Sequence, residues 1–162
     1  MEGGGSLTVD LVEGDPATVL IYVLRRYCYE VDMLDQREVF GHTTGKEVRA
    51  ALESNQLSGT ALTIRQFAYP LGAPADNGMS DRQITVIEDI LASCEGVVAW
   101  GGDMNPIKQS HFQIDVPPHD PRLKKLAGKI SRWERSPGRG AGTINAFTPA
   151  RKSWVREKRS DQ

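Results

Sequence analysis

The chain has 162 residues, 25% of them charged and 39% hydrophobic, and its formal net charge is −1. That length fits one globular domain with an appendage, large enough to bury a sizeable core, and the composition predicts an ordinary soluble protein. The longest apolar run, Val19 to Leu24, is far too short to span a bilayer, and two cysteines, Cys28 and Cys94, exclude a disulfide framework and read as buried thiols.

The opening residues, Met1-Glu2-Gly3-Gly4-Gly5-Ser6, lack the basic start and apolar core of a signal peptide, which predicts a protein made and kept in a cytoplasm. The small net charge hides an asymmetry. Residues 129–162 hold nine Lys/Arg against three Asp/Glu, while residues 1–128 hold 11 against 18. A basic tail on an acidic body predicts an interaction tail.

After an N-terminal segment at 1–14, Asp15-Pro16 reads as an N-cap followed by proline at the first helical position. Val19, Leu20, Val23, Leu24 and Tyr27 fall on one stripe of a helix near 16–29. Residues 30–58 read as mostly irregular structure with a short strand, and Leu62 to Ala68 as a core strand. A loop rich in Pro and Gly follows. Ser80 with Gln83 makes a capping box, opening a helix that carries Ile84, Ile87, Ile90 and Leu91. Val97 to Trp100 reads as a short strand and Gly101-Gly102 as a tight turn. Alternation from His111 to Val116 puts His111, Gln113 and Asp115 on one strand face. Asp120-Pro121 starts a final helix with Leu123, Leu126, Ile130 and Trp133 inward. The fold class is therefore α+β: a small antiparallel sheet flanked by about three helices over residues 15–133. Beyond it, 134–162 reads as a basic linker with Gly138, Gly140 and Gly142, then an extended arm. Ile144, Phe147 and Trp154 in that arm suggest anchors that dock on other protein chains.

The chemistry lies in Ser54-Asn55-Gln56-Leu57-Ser58-Gly59-Thr60-Ala61-Leu62-Thr63, Trp100-Gly101-Gly102-Asp103 and Ser110-His111-Phe112. Together these resemble the D-alanyl-D-alanine carboxypeptidase and L-alanyl-D-glutamate endopeptidase family, zinc enzymes that cut peptidoglycan cross-links in bacteria and bacteriophages. The resemblance covers roughly 15–133 and implies that family's zinc D,D-peptidase-like fold. The family pattern is S-N-H-x-S-G-T-A-x-D, then W-G-G-D, then an acid three places before H-F. In this chain Gln56 stands at the first histidine, Thr63 at the aspartate and Lys108 at the acid, so His111 alone survives.

A catalytic zinc needs about three protein ligands and an open position for water. Gln56 and Thr63 are neutral and poor ligands, and Lys108 would bring positive charge to the place of the general base. The expectation is a pseudoenzyme without metal or other cofactor. His42, His119, Cys28, Cys94 and Asp115 show no metal-ligand spacing that would rebuild a site. Family members in this region often carry an arginine that polarises the scissile carbonyl, a role open to Arg49 or Lys46. Lys108 itself would either turn toward Asp115, Thr63 or Gln56, or lie solvated on its loop.

Three functions follow. One is an inactive peptidase-like domain that serves as a structural or binding component, in the virion of a phage at the tail tip. A second is a working zinc peptidase, and a third a silent binder of cell-wall peptides through Trp100, Asp103 and Gln113. Nucleic acid is disfavoured because the whole chain is slightly acidic.

Overall fold

The computed structural model describes residues 6–45, 50–73 and 77–161. It has an antiparallel four-stranded sheet with helices packed on one face, an α+β architecture. The elements are α1 (Asp15–Glu30), β1 (Val39–Phe40), β2 (Ala61–Ile64), α2 (Asp81–Ser93), β3 (Val98–Trp100), β4 (His111–Ile114), α3 (Pro121–Glu134) and α4 (Pro149–Ser160), and the sheet order is β1-β2-β4-β3. No described helix is long and apolar enough to cross a membrane.

Strand pairing sorts the sheet residues onto two faces, because directly opposed residues share a face and successive residues alternate. Leu62, Phe112 and Trp100 form one row, with Val98 opposite Ile114 and Val39 opposite Ile64 on the same side. This face is the core. It meets Val19, Leu20, Val23 and Tyr27 of α1, Ile87, Ile90 and Leu91 of α2, and Leu126 and Ile130 of α3, all fully buried. The other face carries the row Phe40, Thr63, His111 and the row Ala61, Gln113, Ala99.

Several expectations hold in detail. The stripes of α1, α2 and α3 are inward, and Ser80 caps α2, accepting from the Gln83 amide at 3.3 Å while its own amide donates to Gln83 Oε1 at 2.9 Å. Asp120 caps α3. Others change. Gly14, not Asp15, is the residue before α1, and Asp15 sits in the first helical turn. β2 stops at Ile64 rather than Ala68, because Arg65 takes a left-handed conformation (φ 55°) and its guanidinium pairs with Asp32 and Glu38. Cys28 is half-buried rather than buried, whereas burial pushes the Cys94 thiol up to about 12.

The largest change is at the C-terminus. α3 is not the last helix, and the arm is not extended: residues 149–160 form α4, which packs against α2 of the same chain. Thr148 accepts from the Arg151 amide at 3.3 Å and Pro149 opens the helix. The expected anchors Ile144 and Trp154 are only half-buried, Phe147 remains 36% exposed, and the side chains that close the contact are Ala146 and Val155. The basic tail finds its acidic partner in its own body. Arg151 pairs with Asp89 at 2.6 Å and Arg159 with Asp103 at 2.6 Å.

Asp89 is the centre of that contact. It also accepts from Arg26 at 2.8 Å, with Ser93 at 3.1 Å and Glu30 at 2.9 Å completing the guanidinium's partners. Burial by itself would lower the Arg26 pKa, but the Glu30 bond and the charges of Glu30 and Asp89 raise it, so the cation is permanent.

Candidate functional site

The motif residues converge on the sheet face opposite the helices. The segment after β1 crosses this face as a short 3-10 helix, Ala51–Gln56, which packs on β2 and β4. Its position is set by main-chain bonds that the motif's scaffold residues make possible. Asn55 Nδ2 donates to the Ile114 carbonyl at 3.0 Å, and the Ile114 amide donates to the Thr60 carbonyl at 2.9 Å. Gly59 has φ +69°, and a side chain there would meet the Val12 amide at 2.7 Å. The double glycine has a similar cause: a Cβ on Gly101 would lie 2.1 Å from the Lys108 carbonyl, around which the turn closes.

Gln56 and Thr63, seven residues apart, meet across the 3-10 helix and β2. Gln56 Nε2 donates to Thr63 Oγ1 at 2.7 Å, and both residues are buried. The bond turns the amide nitrogen, a donor, toward the hydroxyl. Two neutral groups satisfy each other.

His111 lies in the same row as Thr63 and is fully buried. Gln113 Nε2 donates to Asp115 at 3.1 Å, so the Gln113 oxygen faces the imidazole and accepts from His111 Nε2 at 3.0 Å. Nδ1 is buried without a well-formed hydrogen bond. Burial holds the imidazole pKa below its ordinary value, the Gln113 bond opposing and the Lys108 charge assisting.

Lys108 follows neither expected course. It is 5% exposed, and its ammonium points inward to Glu53 of the 3-10 helix, which is 3% exposed. Glu53 also accepts from the Ala50 amide at 3.2 Å. The ion pair joins the loop before β4 to the 3-10 helix, and both of its charges act on the His111 ring. Sequence reasoning missed Glu53. A buried lysine demands a carboxylate, but nothing in the local sequence singled out Glu53 among the eighteen acids of residues 1–128.

These residues do not fit zinc. Of the four motif positions, His111 alone offers a ligand, and a buried ammonium stands beside it. Among the described residues no group of three or more His, Cys, Asp or Glu is arranged to hold a metal ion. His42 and His119 are exposed. Arg49 and Lys46 lie outside the described residues.

The proposed peptide-binding residues separate. Gln113 faces the cleft, but Trp100 belongs to the core row, is 4% exposed and donates its indole N–H to the Gln109 carbonyl at 2.8 Å. The turn at Gly101–Asp103 sends Asp103 toward Arg159 at the end of α4. Trp100 and Asp103 line a different groove, of about 500 Å³. No family model matches the chain, and neither curated proteins nor solved structures give a match.

Proposed function

We propose that this domain is a peptidase-like scaffold without catalysis, acting as a structural or binding component of a larger assembly. One observation carries the reading: the positions that resemble a zinc site are filled by a hydrogen bond between neutral side chains, Gln56 to Thr63, and by a buried ion pair, Lys108 to Glu53. The ammonium occupies the Glu53 carboxylate, and no lone pair of Lys108 is left to serve as ligand or base. The assembly is a phage virion, at the tail tip, because the family it resembles supplies phage lysins and tail components. Since the inner face of α4 is taken up by α2, the partner meets the arm's outer face, where Lys152 and Arg156 are exposed.

Zinc and hydrolysis test the proposal directly. The purified protein should hold no stoichiometric zinc after dialysis, show no thermal shift on zinc addition and release no D-alanine from peptidoglycan peptides. About one tightly held zinc per chain, with release of D-alanine, would establish a working peptidase instead. Restoration by Gln56→His, Thr63→Asp and Lys108→Glu places two new carboxylates beside Glu53. The triple variant should therefore need zinc to fold stably, a dependence that the parent lacks.

A further inference from the structure

Docking of the arm forms a half-open cavity of about 270 Å³ between α1, the C-terminal ends of α2 and α3, and residues 138–154. At about 30 Å³ per water that is room for roughly nine waters, or for a small organic molecule. Three aromatic rings wall it. Tyr22 and Trp133 pack together with centroids 5.8 Å apart, and Trp154 lies under the Arg151 guanidinium at 3.8 Å. Ile144 extends the apolar surface.

The charges around the cavity do not cancel. Glu95 is answered by Lys129, and Asp89 with Glu30 by Arg26 and Arg151. Arg139 lines the cavity without an ion pair among the described residues. Arg151 spends Nε and Nη2 on Asp89 and Ser93, which leaves Nη1 without a hydrogen bond among the described residues. Aromatic walls beside one unbalanced cation and a spare guanidinium N–H select one ligand class.

We propose that this cavity binds a small planar ring carrying a carboxylate, ring between Trp133 and Trp154, carboxylate on Arg139 with Arg151 Nη1. Six of the ten lining residues belong to the linker and arm. The site therefore exists only while the arm is docked, and the ligand holds the arm in place by mass action.

Phenylacetate is the probe, phenylacetamide its uncharged counterpart, and the three indole N–H signals in an NMR titration are the readout. Trp133 and Trp154 should shift saturably with phenylacetate while Trp100, which does not line the cavity, stays fixed. The amide should bind at least tenfold more weakly, and so should phenylacetate to Arg139→Ala, an exposed site whose replacement leaves the core intact. At ten times Kd, proteolysis in the 136–142 linker that proceeds through the released arm should slow about elevenfold. The proposal is overturned if Trp133 and Trp154 do not saturate, if acid and amide bind alike, if Arg139→Ala binds as the parent does, or if linker cleavage is unchanged.

Discussion

Among the described residues two ionic groups are buried, one in the cleft and one under the arm, and they differ in the chemistry of their cations. In the cleft, Lys108 meets Glu53, and either partner can discard its charge by moving a proton. Under the arm, Asp89 joins Arg26 and Arg151, and a guanidinium keeps its charge at any accessible pH. A broken cleft pair can therefore neutralise itself, whereas a broken arm cluster leaves a cation in the core. The second therefore fastens the tail at any accessible pH.

The sharpest break is Asp89→Ala. Arg26 is fully buried and would keep Glu30 and Ser93 but lose its central acceptor, while Arg151 would lose its only ion-pair partner among the described residues. Loss of one member of a buried charged cluster costs about 3 to 5 kcal/mol. Urea unfolding should show that loss at pH 7 and again at pH 5, and protease should cut the linker faster. A loss under about 1 kcal/mol, or one that vanishes on acidification, would remove the distinction between the clusters.

Lys108→Met is the matching break in the cleft. Glu53, deprived of the Lys108 ammonium, takes up a proton, a step that at pH 7 costs at most about 3.7 kcal/mol from a usual glutamate value near 4.3. The raised carboxyl pKa makes the variant's deficit shrink as pH falls, by about 1.4 kcal/mol per unit, until the unfolded carboxyl is protonated too. Adding Glu53→Leu removes the carboxylate that faced the ammonium, so the double variant should unfold within about 1 kcal/mol of the parent. Equal deficits at pH 7 and pH 5 for the single variant would mean that Glu53 keeps its charge.

The same contrast marks what the sequence could disclose. Helical stripes and caps were legible because they are local: Ser80 with Gln83, Asp120 with Pro121, and the apolar spacing of α1 all act within a few residues. α4 carries the same signal, Thr148 before Pro149, but its stripe offers only Trp154 and Val155 among charged neighbours. It is held by Arg151 on Asp89, 62 residues away, which no periodicity reveals. In the cleft, the positions of Gln56, Thr63 and His111 were legible from motif spacing, and the structure brings Gln56 onto Thr63 and Thr63 beside His111. Glu53 was not, since its pairing with Lys108 spans 55 residues. Trp100 could be read as a core residue or as a cleft group, because the motif text does not say which sheet face a strand residue takes, and register decides for the core.

The smallest expected effect concerns His111. Glu53 and Lys108 both act on its ring, with opposite sign, and Gln113 accepts from Nε2. Burial leads the balance, so the folded pKa lies below the unfolded value near 6.5. The unfolded chain then binds the proton more readily, and this contribution is present above pH 6.5 and lost as pH falls toward the folded pKa. His111→Gln fills the position with a neutral amide that does not titrate. Stabilities of parent and variant, measured by urea unfolding at intervals between pH 8 and pH 5, should run parallel above about pH 7 and diverge below it, the parent losing more. Parallel curves throughout would show that the imidazole charges as easily in the cleft as in water, the Gln113 bond offsetting burial and the Lys108 charge.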